Sequence, residues 1–181
     1  MTTADDTRSR ILAAARELFA ERGYANTSLA DIAAAVGLTK TAIAYHFHPK
    51  DKLAAEIIAP AAEDMIALLG GDYADDRRAF VTALVGFVVR HRAVMRLFME
   101  DLGAADSAQP GSTADAVRTF RDEIYRKLVG PEPDEAATVR GWALLGALQS
   151  AVVHTMDLPQ DEVHPILLRA ALAIEDLSVN A

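Results

Sequence analysis

The chain has 181 residues, no cysteine and a formal net charge of −8, with 51% hydrophobic and 24% charged residues. That length supports a real hydrophobic core, in one domain or in a small domain plus a larger one. Without cysteine there is no disulfide framework and no thiolate metal site, which fits a reducing cytoplasm. The polar, acidic start MTTADDTRSR lacks the apolar segment of a secretory signal, and the longest apolar runs fall short of the roughly 20 residues of a membrane span. A soluble cytoplasmic protein with no membrane partner is expected.

β-branched alternation is missing, alanine is abundant and apolar residues recur at three and four, so the chain reads as all-α, with about nine helices and no internal repeat. The first helix covers about 7–22, with Ile11, Leu12, Ala15, Leu18 and Phe19 on one stripe and Gly23 as its stop. Residues 27–52 read as two short helices joined by a tight turn. Ser28 caps the first, with Asp31 as the reciprocal acid of a capping box. Leu29, Ile32, Ala33 and Val36 supply its apolar face. Gly37 stands where a chain leaving a helix needs positive φ. Thr39 caps the second helix, whose inward residues are Ile43 and Phe47. A small residue at 33, glycine at 37 and an apolar residue at 43 make the pattern of a helix-turn-helix. Pro49, in a first-turn position, starts a fourth helix that carries Leu53, Ile57, Ala61, Met65 and Leu68 on one side. Pro60 removes one of its hydrogen bonds and bends it near Glu56, as a static kink or as a hinge.

Asp72, Asp75 and Asp76 lie before a fifth helix, where the macrodipole favours them. Phe80, Leu84, Phe87 and Val88 make that helix apolar on most sides, hence central in its domain. A sixth helix holds Val94, Met95, Leu97, Phe98 and Met99, and residues 103–112 read as a loop. The seventh, about 113–129, is capped by Ser112 with Asp115 and buries Val117, Phe120, Ile124 and Leu128; Gly130-Pro131-Glu132-Pro133 ends it. The eighth, about 134–156, and the ninth, about 163–179, are joined by a short connection at Asp157-Leu158-Pro159, which makes them antiparallel neighbours. Ala143, Ala147 and Ser150 form a stripe of small residues on one, and Ile166, Ala170, Ile174 and Leu177 an apolar stripe on the other. Such a pair packs on itself alone or meets a second copy as a four-helix bundle. Because both helices are apolar over more than one face, these seven residues are read as a homodimer interface.

The net charge conceals an asymmetry. Residues 1–53 carry seven Lys/Arg against six acids, whereas 54–181 carry eleven against twenty. Within 39–52 there are three lysines, two histidines and one acid. This pattern points to a local anion-binding face on an acidic body, with domains at 1–53 and 54–181.

The helix ending in FAERGY, the unit TSLADIAAAVGLTK, the YHF triplet and the Pro-Lys helix start together resemble the TetR (TetR/AcrR) family of bacterial transcriptional regulators, closely over about residues 8–53. The resemblance implies an N-terminal three-helix DNA-binding domain at 1–53 and a larger helical ligand-binding and dimerisation domain at 54–181. It implies that Thr39, Lys40, Thr41 and Ala42 enter the major groove, that Tyr45 and His46 lie against sugar-phosphate, and that Lys50 meets a phosphate. Ser28 would cap the helix before the turn and touch phosphate there. The chain departs from the family pattern at Thr41 and Ala42, where glycine then threonine or serine is frequent, and at Ala44, where tyrosine is frequent.

For the second domain the resemblance implies a small-molecule pocket. Candidate lining residues are Met95, Phe98 and Met99 on the sixth helix, Phe120 and Tyr125 on the seventh, and Trp142, Gln149 and His154 on the eighth. A methionine and aromatic wall with few polar groups suits an apolar or amphipathic effector. There is no G-x-S-x-G elbow, phosphate-cradling glycine loop or H-E-x-x-H. His154 and Asp157 share a helix face without a third ligand, and His46 and His48 do not share one. No enzyme, metal or cofactor is therefore expected. The expected function is a homodimeric, ligand-responsive repressor that binds a palindromic double-stranded DNA operator. The alternative is a helical ligand-binding or protein-interaction module whose helix-turn-helix no longer reads sequence.

Overall fold

A computed structural model describes residues 4–24, 26–47, 50–73, 76–95 and 113–177. Its helices are α1 (Ala4–Arg22), α2 (Leu29–Val36), α3 (Lys40–His46), α4 (Lys50–Gly70), α5 (Arg77–Arg90), α6 (Thr113–Val129), α7 (Glu135–His154) and α8 (Gln160–Glu175). A helical turn follows α5 at 92–95, and no strand occurs among the described residues. The rest of the expected sixth helix, the loop at 103–112, the Ser112 cap and the start at Pro49 lie outside the described residues.

The chain divides into two compact units, Met1–Glu63 and Asp64–Ala181. The division falls inside α4 rather than after Leu53, and the spacing of that helix explains it. Leu53, Ile57 and Ala61 recur at four and are all buried in the first unit, whereas Leu68 joins the core of the second. An ion pair between Arg8 of α1 and Glu56 of α4 adds to the first unit. Its core comes from Ile11, Ala15 and Phe19 of α1, Ile32 and Ala33 of α2, Ile43 of α3, and Phe47. Thr27 is a polar residue buried among them. Its hydroxyl donates to the Gly23 carbonyl at 2.9 Å, so its burial costs little.

In the second unit α5 lies at the centre, with Val81, Leu84, Val85 and Val89 almost wholly buried and α6, α7 and α8 packed against it. Asp76 caps α5 by accepting from the Ala79 amide at 3.0 Å, and Asp134 caps α7 by accepting from Ala137 at 2.7 Å. The first amides of α8 are engaged from Pro159, whose carbonyl accepts from Glu162 and Val163; the helix thus begins three residues before the expected start at 163 and ends at Glu175 rather than near 179. Acids at Asp161 and Glu162 suit that first turn.

By length and composition α7 is long and apolar enough to cross a membrane, contrary to the expectation that every apolar run falls short. Its apolar residues point several ways. Leu144, Leu148 and Val152 enter the core, while Val139 stands 69% exposed on the outside.

Candidate functional site

The helix-turn-helix is built from local chemistry. The Ser28 hydroxyl accepts from the Asp31 amide at 3.2 Å and donates to Asp31 Oδ2 at 2.6 Å, and the Ser28 amide donates to the same oxygen at 2.8 Å. This closes the capping box of α2. The Ser28 hydroxyl and amide together hold the Asp31 carboxyl below its usual range. At the other end Gly37 takes φ 69° and ψ 32°, and Leu38 N–H donates back to the Ala33 carbonyl at 2.9 Å. The left-handed conformation turns the chain into α3 without a Cβ against the following carbonyl. Thr39 then caps α3 by accepting from Ala42 N–H at 3.2 Å.

Ile43 and Phe47 anchor α3 in the core, which sets its opposite face outward. Thr39, Lys40, Thr41 and Tyr45 are exposed, with Ala42, Ala44 and His46 half-buried beside them. Tyr45 is 87% exposed and meets the His46 ring edge-on at 5.2 Å between centroids. An aromatic ring left this bare on a seven-residue helix has no packing role.

Lys50 and Ser28 are more committed than the sequence implies. Lys50 Nζ donates to the Tyr24 carbonyl at 2.8 Å and the Thr27 carbonyl at 3.0 Å, and lies 3.8 Å from the centre of the Tyr24 ring. It therefore ties the start of α4 to the chain entering α2. Beside it the Tyr24 hydroxyl donates to Asp51. Burial first, then the Asp51 hydrogen bond and charge, push the Tyr24 phenol up to about 12.

The second unit holds a cavity of about 240 Å³ between α4, α5, α6 and α7. Of the expected lining residues it brings together Met95, Phe120, Trp142 and Gln149. Tyr125 stands behind the wall, stacked on Trp142 at 4.7 Å between ring centroids. His154 is exposed, with Nδ1 2.9 Å from the Ser150 carbonyl, and lies outside the lining. Phe98 and Met99 lie outside the described residues. The sequence reading missed Met65 on α4, Leu84 and Val88 on α5, and above all Arg121 on α6. Arg121 had a signal: it interrupts the apolar stripe Val117, Ile124, Leu128 at helical spacing.

Of the residues read as a dimer interface, Ala143, Ser150 and Ala170 are exposed, and Ala147 and Ile174 are half-buried. Ile166 is 60% and Leu177 58% exposed. With Val139 they leave an apolar outer face on α7 and α8, which also pack against each other. Among the described residues no group of three or more His, Cys, Asp and Glu side chains could hold a metal ion.

The family model of bacterial regulatory proteins, tetR family, matches residues 11–57. The HTH-type transcriptional regulator AcrR of Shigella flexneri is 46% identical over 54 residues, 30% of this chain and 25% of that protein. The regulator TtgR of Pseudomonas putida is 48% identical over 50 residues, 28% of this chain and 24% of that protein. The chain thus aligns with about a quarter of these relatives' length. Over the full length of both chains, the TetR-family transcriptional regulator PfmR of Thermus thermophilus has the same fold, with a TM-score of 0.64 at 23% identity. Over residues 11–57 the chain is thus similar to the tetR family of bacterial regulatory proteins, and over its full length it has the fold of a solved TetR-family regulator.

Proposed function

We propose that the chain is a cytoplasmic, ligand-responsive transcriptional regulator: a homodimeric repressor that holds a palindromic operator and is released by a small apolar or amphipathic effector. The outer face of α3 carries this reading. Capped at Thr39 and anchored by Ile43 and Phe47, it presents hydroxyls, a lysine, an alanine methyl and a bare tyrosine on one surface. Hydroxyls and methyls discriminate base edges, and lysine and tyrosine meet phosphate. An ammonium has three donors, so the two carbonyl bonds of Lys50 leave one for a phosphate. Ser28, its hydroxyl proton given to Asp31, serves by holding the N-terminus of α2, whose first amides face an anion.

The outer faces of α7 and α8 support a second copy, paired through Ala143, Ala147, Ser150, Ile166, Ala170, Ile174 and Leu177. Two recognition helices then reach major grooves about 34 Å, or a multiple, apart. The cavity supports the switch. Met65 of α4 forms part of its wall, and α4 begins at Lys50. An effector that binds best with α4 displaced alters the spacing of the two recognition helices and releases the operator.

A mobility-shift titration on the DNA upstream of the protein's own coding sequence tests the reading. The expected result is selective binding to a palindrome, weakening steeply with salt. Lys40→Ala should lower affinity for all sequences alike and reduce the salt slope by about one. Equal affinity for palindromic and random DNA would refute the regulator and favour a module that binds ligand without reading sequence.

A further inference from the structure

Two side chains with strongly polar ends, Arg121 and Gln149, belong to the otherwise apolar wall of the cavity in the second unit. They are not equally available. Arg121 on α6 is committed: its Nε donates to Asp122 Oδ1 at 3.1 Å, its guanidinium lies 5.7 Å from the centre of the Trp142 ring, and it makes a further contact besides. Gln149 on α7 is exposed, and its amide meets no hydrogen-bond partner among the described residues. Trp142, Leu145 and Gln149 fall at i, i+3 and i+7, so one face of α7 sets that amide into the wall among apolar neighbours. No carboxylate and no histidine belongs to the lining among the described residues.

This wall disfavours a charged ligand of either sign. A carboxylate would have to displace Asp122 from Arg121 or lie unpaired against apolar surface, and an ammonium would meet a cation and no acid. An unpaired charge on apolar surface costs far more than an unpaired dipole. A neutral ligand avoids that cost, but its own hydroxyl or carbonyl needs a partner once it leaves water. The Gln149 amide has a carbonyl acceptor and two N–H donors, so it serves either group. The volume sets the size. A cavity of about 150 Å³ takes the six carbons of benzene, so one of about 240 Å³ takes about ten non-hydrogen atoms.

We propose that the cavity takes a neutral ligand of about ten non-hydrogen atoms, with an apolar body and a single hydroxyl or carbonyl received by the Gln149 amide. This rests on the reading of the cavity as the effector site and adds the charge class, the size and the anchoring residue.

The test is a fluorescence titration of the full chain with phenylpropanol, phenylpropanoate, phenylpropylammonium and propylbenzene, each a phenyl ring at one end of a three-carbon chain. Trp142 is the single tryptophan of the chain and stands in the cavity wall, so its emission reports occupancy. The alcohol should bind at least about tenfold more tightly than either ion. Gln149→Met keeps the length of the side chain and removes the amide. It should weaken the alcohol about two- to tenfold, as loss of a neutral hydrogen bond does, and leave propylbenzene unchanged. The proposal is overturned if either ion matches the alcohol on the unsubstituted chain, a comparison that needs no variant. It is also overturned if Gln149→Met leaves the alcohol unaffected, or weakens alcohol and hydrocarbon alike. In each of these cases a probe that still releases the operator leaves the cavity as the effector site. No fluorescence response to any probe, together with unchanged operator binding, overturns both.

Discussion

Replacing Gly141 by alanine tests how closely α6 and α7 approach. A Cβ built there would stand 2.5 Å from Val129 Cγ1 and 3.1 Å from Tyr125 Cε2, against an optimal carbon–carbon separation of about 3.5–4.0 Å. Neither neighbour yields easily. Val129 is buried and β-branched, with a stiff χ1, and the Tyr125 ring is stacked on Trp142. Overpacking of this order costs about 1–3 kcal/mol, and the gain in helix propensity from glycine to alanine returns about 1 kcal/mol. Gly141→Ala should therefore destabilise the second unit by up to about 2 kcal/mol, lowering its Tm by up to roughly 8 °C. Gly86→Ala on α5 is the matched control. Its Cβ would meet only His164 Nε2 at 4.0 Å, an ordinary contact, so the propensity gain of about 1 kcal/mol should survive and raise Tm. Thermal unfolding followed by Trp142 fluorescence reads the unit that contains both sites. A Gly141→Ala protein that melts above the unsubstituted chain, as Gly86→Ala should, would refute the close approach.

Gly37→Ala meets no atom within 4 Å, so its cost is the left-handed backbone alone, about 1–2 kcal/mol. Chemical denaturation of the first unit should show that loss, with a parallel loss of operator affinity. Ser28→Ala removes the α2 cap and should cost about 1 kcal/mol in the same measurement. It should also flatten the acid limb: the Asp31 carboxyl lies below its unfolded value, so its contribution is present above pH 3.8 and lost as pH falls through the lower folded value. Tyr24→Phe acts at the other extreme. The phenol is raised from 10.0 to about 12, so its stabilisation is complete below pH 10 and lost as pH rises through about 12. The substituted chain should lack that alkaline component when denaturation midpoints are compared across the window. If the proposed dimer forms, Ala143→Glu places like charges against each other across its two-fold interface; sedimentation should then show monomers, with any Trp142 response to a ligand intact.

What the sequence disclosed depended on how far apart the cooperating residues lie. Ser28, Asp31, Gly37 and Thr39 act within one turn of helix, so residue type and spacing were enough to place both caps and the turn between them. The start of α8 was less legible. It has no side-chain cap and begins on a backbone carbonyl at Pro159, which no residue type announces. The cavity was hardest, since its wall is assembled from α4 to α7. Leu84 and Val88 read as core because one face of α5 is core in any arrangement. His154 drew notice as a polar group on an apolar helix, but its need is met one turn back by the Ser150 carbonyl. Lys50 read as a phosphate ligand alone because its two carbonyl partners lie 26 and 23 residues away.

The composition of α7 follows from its three faces. One face buries Leu144, Leu148 and Val152 in the core, with Gly141 where α6 comes closest. A second lines the cavity with Trp142, Leu145 and Gln149. A third turns Val139, Ala143 and Ser150 outward. A helix with a single buried face would be polar over the remainder. This one is apolar enough to pass for a membrane span because each face meets a different apolar surround: the core, the cavity and, in the proposed dimer, a second copy. Arg140 fits the same account, since its guanidinium is spent on the Leu177 carbonyl just beyond α8 rather than left toward solvent. The proposed ligand and dimer surfaces thus share one rigid element, and an effector that shifts α7 against α6 would be felt at the interface as well as at α4.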